Sequence, residues 1–275
     1  MSLRDTFQIW KLSSEKMRLA GVVDHTGLKE RVLTVALPSL SSALLVEQRP
    51  DAPFSLHADG THRRLWPTAL VLVQYLCAHP SLVAGKRVVE LGAGAGAVGL
   101  ACAALGAALV VLTDMPEALP LLEDNVRRNA DVPSSPSSAS PPSSSSALPP
   151  PSPLSERTRV MPCTWGDASH ESALLGLGGE FDVVVSCESV YKQQASVLQS
   201  LAATQRRLLH AGGVALTAYE FRGELFDDLA YFDAANALFE CEPISLRPYE
   251  RELADDEEED VRFLYRYTPL PYKHS

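Results

Sequence analysis

Residues 88–99 read VVELGAGAGAVG, an apolar strand that runs into glycine at alternate positions and then into small residues. No other stretch constrains the architecture as much. Glycine lets a backbone take left-handed angles and lets a ligand come against the chain itself. A strand, a glycine loop and a helix in that order belong at the carboxyl end of a parallel strand. The string parses in two ways. Gly94, Gly96 and Gly99 spell G-x-G-x-x-G, the dinucleotide fingerprint. Gly92, Gly94 and Gly96 after Glu90 spell E-x-G-x-G-x-G, which suits a different nucleoside ligand.

The surrounding pattern supplies the sheet. Apolar spacing predicts helices over 66–80, 97–106, 116–129, 192–210 and 224–236. Short apolar runs predict strands over 86–91, 107–114, 157–165, 180–188 and 213–220. FECEPISL and VRFLYRY (261–267) read as a terminal antiparallel pair, with the acid run ADDEEED as the solvated loop between them. Repeated strand–helix alternation implies an α/β fold with a doubly wound, mostly parallel sheet. Such a sheet binds ligands at the carboxyl ends of its strands.

Residues 1–55 read as an N-terminal extension, with FQIWKL, MRLAGVV and RVLTVAL as candidate short strands, and 56–275 as the main domain. Residues 131–155 are almost entirely Ser, Pro and Ala; they cannot bury a core and read as a disordered insertion. The net charge of −10 argues against a broad nucleic-acid surface. No apolar run is long enough for a membrane span, and no clustered Cys/His spacing suggests a metal. The five cysteines include no C-x-x-C pair, which fits reduced thiols in the cytoplasm or nucleus.

Three residues weigh between the two parses. Glu90 ends the first strand, where a carboxylate would repel a pyrophosphate but suit a ligand bearing a cation. Asp114 ends the second strand, where an acid accepts hydrogen bonds from ribose hydroxyls. Trp165 follows the third strand, where a ring can stack on a base. There is no G-K-[ST] after the loop and no G-x-S-x-G elbow.

Taken together these segments resemble the class I, seven-β-strand S-adenosylmethionine-dependent methyltransferases, and within them methyltransferase family 16, small protein-lysine methyltransferases that modify chaperones and translation elongation factors. The likeness spans roughly residues 60–268. LWPTALVLVQYL is similar to the family's Trp-containing helix at the cofactor pocket and implicates Trp66. VVELGAGAGAVGL is similar to its glycine motif. TDMPEALPLLEDNVRRN is similar to its post-strand segment and TWGD to its Trp-Gly segment. FDVVVSCESVY is similar to its Asp-x-x-Tyr signature, with Glu188 in place of the aspartate and Tyr191 as the tyrosine; AYEFR resembles the segment after the next strand.

The resemblance implies S-adenosyl-L-methionine as cofactor, held by Trp66, Glu90, Gly92, Ala93, Gly94, Gly96, Asp114, Met115, Trp165 and Cys187, with Gly99 packing its helix on the sheet. It implies a protein acceptor whose lysine amine is oriented by Glu188 and walled by Tyr191, with Glu220 and Arg222 shaping the mouth. A different acceptor (protein histidine, a small molecule, a nucleic acid) or a non-catalytic cofactor-binding scaffold stays open at this point. A nicotinamide oxidoreductase is disfavoured, because no Tyr/Lys or His constellation accompanies the loop.

Overall fold

The computed structural model describes residues 31–40, 42–49, 61–133, 153–190, 193–220, 225–249 and 262–271. FQIWKL, MRLAGVV, the acid run, Tyr191, Arg222 and the interior of the Ser/Pro segment (134–152) lie outside them.

The chain forms a hairpin, β1 (Val32–Leu37) and β2 (Ser42–Glu47), and then one larger sheet. Its strands are β3 (Arg87–Leu91), β4 (Leu109–Asp114), β5 (Thr158–Pro162), β6 (Phe181–Cys187), β7 (Leu209–Glu220), β8 (Phe239–Ser245) and β9 (Arg262–Pro269). They lie in the order β5-β4-β3-β6-β7-β9-β8. β5, β4, β3, β6 and β7 run parallel; β9 is antiparallel to β7, and β8 antiparallel to β9. The helices are α1 (Pro67–Ala78), α2 (Ala97–Ala104), α3 (Leu119–Arg128), a single turn α4 (Leu154–Arg157), α5 (Ala168–Leu175), α6 (Ala195–Leu208) and α7 (Leu225–Leu238). This is the mostly parallel sheet with a terminal antiparallel pair that the alternation implied. None of the described helices is long and apolar enough to cross a membrane.

The pleat sorts the strand residues into two cores. Val88, Val110, Leu112, Val183, Val185 and Leu216 pack on one face with α1 and α2. Val89, Val111, Val184, Ala215, Tyr219 and Tyr267 pack on the other with α6 and α7. From β3 the chain winds outward through β4 to β5, then returns to β6 on the opposite side of β3. The loops after β3 and β6 therefore diverge and open a crevice, the usual ligand position in an open α/β sheet.

Three boundaries differ from the sequence reading. Helix α6 ends at Leu208, short of the Gly212-Gly213 pair expected to close it. The strand begins at once, because Leu209 pairs with Phe181 across the sheet. Gly213 lies inside that strand, where an added methyl would sit 2.8 Å from the Asp182 carbonyl. Helix α5 was not expected. Its signal was Asp167, whose Oδ1 accepts from the Ser169 and His170 amides as an N-cap. The third difference is at the edges of the Ser/Pro segment: Pro133 bridges Pro153, and Leu154 is wholly buried against the α2 side of the core.

The hairpin shares that core. Val35, Leu37, Leu44 and Val46 belong to the same apolar cluster as α1 and α2. One edge of β2 pairs with β1. The other pairs with two side chains of α3: Asn129 bonds both the amide and the carbonyl of Leu45, and Asn125 does the same at Glu47. Four-residue spacing puts both amides on one helix face, where they act as a strand's backbone would. The Glu47 carboxylate accepts from Arg31, Arg49 and Arg128. Arg49 foremost holds its carboxyl down at about 2, against the opposing effect of burial.

Leu154→Ala is expected to lower the unfolding free energy by about 2–5 kcal/mol through the cavity it leaves. Ser155→Ala, at an exposed neighbour, should stay within about 0.5 kcal/mol. Chemical denaturation of the two variants measures the contrast.

Candidate functional site

The crevice holds a cavity of about 630 Å³ lined from four strand ends and from the start of α1. Its floor is the glycine loop. Gly92, Gly94 and Gly96 all take left-handed angles, with φ of 69°, 54° and 81°. Gly99 does not; it is helical and buried. The loop is tied down at several points. The Ala93 amide donates to the Thr113 carbonyl, the Gly94 amide to Asp114 Oδ2 and the Gly99 amide to Glu90 Oε2. On the helix side, Asn125 Nδ2 donates to the Ala95 carbonyl.

The glycines divide by task. A methyl on Gly92 would lie 2.8 Å from Ser189 Oγ and 3.2 Å from Trp165 Cζ2. A methyl on Gly94 would lie 3.2 Å from the His62 carbonyl. These two glycines and Ala93 line the cavity. Gly96 does not line it; its missing side chain makes room for Leu122, 2.7 Å from where a methyl would be. Gly99 is pressed against Leu112 and Glu90, at 2.0 and 2.6 Å from an added methyl.

Glu90 is 2% exposed, and its Oε2 is turned onto the first turn of α2. Burial foremost, with Asp114 nearby, pushes its carboxyl up to about 8 against the pull of the Gly99 amide. Near neutral pH the group is therefore mostly uncharged. Its Oε2 occupies an amide of the first turn of α2.

Asp114 ends β4 at the cavity wall. Its two oxygens accept from the Gly94 and Met115 amides. A carboxylate has about four acceptor sites, so room remains for a diol. Burial pushes its carboxyl upward, opposed by those amides and by His62. Met115 lines the same wall and is unusually exposed for an apolar residue, at 44%. Trp165 lines the cavity beside Gly92 on a turn fixed from α6: the Gly166 amide donates to Thr204 Oγ1, which donates to Glu171 Oε1.

Glu188, just past β6, is the one described non-glycine residue with a left-handed angle, φ 58°. Such a conformation costs free energy and persists where surrounding bonds hold it. Here the Glu188 amide donates to the Ala218 carbonyl, and Glu188 Oε1 accepts from the Glu220 amide at 2.9 Å. The residue lines the cavity next to Cys187 and Ser189, facing a chamber that Trp66 and Ala69 also line. Glu220 is 4% exposed and does not line it. Its Oε2 accepts from Thr68 and Arg262, binding the start of α1 to β7 and β9 and so fixing Trp66.

Every cofactor residue expected from the sequence lines this one cavity except Gly96. The sequence reading missed His62 and Arg64, which close it from the 61–64 segment, and Gln193, Ser196 and Ser200, which line it from around the start of α6. The first pair carried no periodic signal. The others lie in a stretch read only for its apolar face. No group of His, Cys, Asp and Glu among the described residues is arranged to hold a metal.

The sheet order, with its glycine loop and acidic strand end at the crevice, is that of the Rossmann-like methyltransferases. A T. thermophilus 16S rRNA methyltransferase, solved with AdoMet and guanosine, superposes with a TM-score of 0.53 over 86% of this chain and 50% of that one, at 18% identity. Residues 55–141 match the model of the lysine methyltransferase family. The protein N-terminal and lysine N-methyltransferase EFM7 of Yarrowia lipolytica is 32% identical over 206 residues, 70% of this chain and 71% of that protein. The EEF1A lysine methyltransferase 3 of Mus musculus is 32% identical over 165 residues, 60% of this chain; the chain spans 58% of that relative's length. The chain belongs to the lysine methyltransferase family.

A carboxyl raised on folding gives stability that is full below its unfolded pKa and is lost as pH rises through the folded value. Glu90 should therefore make the protein less stable as pH climbs from about 5 to about 8. Glu90→Gln keeps an oxygen for the Gly99 amide and removes the titration. Denaturation midpoints of the two proteins should diverge across that window, with the wild type falling relative to the variant.

Proposed function

We propose that this chain is an S-adenosylmethionine-dependent protein methyltransferase whose acceptor is a lysine side chain. Family membership supports the reaction class. The observation that carries the assignment is Glu188: a strained acidic residue on the wall of a cavity that the glycine loop also lines.

The residues fit the cofactor. Gly92, Ala93 and Gly94 line the cavity with backbone, the surface assigned to the methionine and ribose side. Asp114 retains acceptor capacity for the ribose hydroxyls. Met115 and Trp165 supply apolar surface for a base. The dinucleotide parse loses ground, since Gly96 and Gly99 serve helix packing and Glu90 takes a first-turn amide. When bound, S-adenosylmethionine supplies an electrophilic methyl group that an amine takes in an in-line displacement. The chain's part is alignment and exclusion of water. Glu188 holds and orients the acceptor amine. A lysine ammonium has a reference pKa of about 10.4 and must lose its proton before attack. Apolar walls at Trp66 and Ala69 disfavour the charged form, while the carboxylate alone would favour it; orientation is therefore the role assigned to Glu188. Tyr191 is assigned the remaining wall of the channel on the sequence motif.

The two relatives' names point to protein acceptors, one of them EEF1A, so a translation factor or a chaperone-like protein in the cytoplasm or nucleus is the acceptor class proposed. A non-catalytic scaffold is disfavoured by the strain stored at Glu188, which binding a cofactor alone does not require.

Glu188→Ala should lower turnover by about a hundredfold or more while leaving the affinity for S-adenosylmethionine within about threefold. Glu188→Gln keeps an acceptor for the Glu220 amide and separates loss of charge from loss of that bond. The measurements are calorimetric binding of S-adenosylmethionine and transfer of a labelled methyl to extract proteins. Undiminished turnover in both variants rejects the assignment.

A further inference from the structure

Among the described residues, the glycine loop has a tie from outside the strands beneath it. Asn125, on α3, is wholly buried and uses its whole amide. Oδ1 accepts from the Glu47 amide at 2.7 Å, and Nδ2 donates to the Glu47 carbonyl and to the Ala95 carbonyl, both at 2.9 Å. Ala95 lies between two left-handed glycines and lines the cavity. Ala95 is buried, so its carbonyl needs a partner, and Asn125 supplies it. Asn125 thus joins the glycine loop to the end of β2 through a single side chain.

The same end of β2 grips the opposite rim. The Arg49 amide donates to the Arg63 carbonyl at 2.8 Å, and Gln48 Oε1 accepts from the Leu65 amide at 3.2 Å. Arg64 lies between those anchors and His62 just before them; the His62 backbone packs against Gly94, and His62, Arg64 and Leu65 all line the cavity. Three consecutive residues, Glu47, Gln48 and Arg49, therefore hold the floor and the cover of the cavity in one register. The Glu47 carboxylate secures this segment to α3 through Arg128 and to its own chain through Arg31 and Arg49.

We propose that Asn125 is a positioning residue for the cofactor, and that the β1–β2 hairpin is through it part of the cofactor site. The proposal rests on the reading of the cavity as an S-adenosylmethionine site. Asn125 touches no ligand. It sets the distance between the Gly92–Gly96 floor and the His62–Leu65 cover. Coupling of this kind is reciprocal: whatever the hairpin contributes to cofactor affinity, the cofactor returns as stability of the hairpin.

Asn129 provides a matched control. It makes the same paired bonds to β2, at Leu45, one helical turn away, and has no bond to the loop. Asn125→Ala should raise the calorimetric Kd for S-adenosylmethionine about tenfold, the effect of leaving a buried partner unsatisfied. Asn129→Ala should lower the thermal midpoint comparably while leaving that Kd within about twofold. A purely structural role predicts equal effects of the two variants on Kd, and that result overturns the proposal.

Hydrogen exchange on the wild-type full chain decides the matter if Asn125→Ala does not fold. Saturating S-adenosylmethionine should slow exchange at the Glu47 amide several-fold; unchanged exchange there overturns the proposal. Absence of any S-adenosylmethionine binding by the wild type overturns instead the reading of the cavity, and this proposal with it. Wild-type binding with an unaltered Kd in a folded Asn125→Ala protein overturns the positioning role alone.

Discussion

The topological switch between β3 and β6 is the constraint on which the rest of the molecule depends. Parallel strands require crossovers, and a chain that winds first one way and then the other must leave a gap between the two loops where it reverses. The gap lies over β3, whose own loop then has to be thin. Only glycine at 92, 94 and 96 permits the left-handed path that keeps the loop low and starts α2 against the sheet. The Gly99–Leu112 contact and the Glu90–Gly99 bond follow, since a helix this close to its strands has no space for a side chain at that position.

The site inherits its division of labour from that arrangement. Two acidic groups on the cavity wall are bound to backbone. Asp114 holds two amides of the loops it faces, and Glu188 holds the amide that ends β7. Such groups cost little reorganisation when a ligand arrives, because their orientation is already fixed. Glu220 and Arg262 do the corresponding work one layer down, in a buried pair that fixes the helix carrying Trp66 at its N-cap.

What was legible in the sequence was whatever period and glycine encode. The central strands are continuous apolar runs bounded by turn residues, and β8 and β9 show their antiparallel pairing through proximity along the chain. Asp114, Trp165 and Glu188 were legible because each closes such a run. The illegible parts depend on partners distant in sequence. Asn125 and Asn129 look like polar residues of an amphipathic helix; their service to β2 depends on an element about eighty residues earlier. Glu90 read as a charge for the ligand; that it lines the cavity deeply buried and also accepts from the Gly99 amide depends on packing the sequence does not display. Gly212-Gly213 read as a helix stop, but strand pairing at Leu209 ends the helix first.

The hairpin shows how far a catalytic fold extends beyond its sheet. By itself a two-stranded ribbon is marginal in water. Here one edge of β2 is completed by side-chain amides, and its apolar face is completed by α1 and α2. One of those amides, Asn125, bonds both the ribbon and the glycine loop. The end of β2 is thus bonded to residues on two sides of the cavity, through Asn125 to Ala95 and through Gln48 and Arg49 to the 63–65 segment. The relation of strand, helix and loop at Asn125 makes the site a property of the whole α1–α3 side of the molecule rather than of the glycine motif alone.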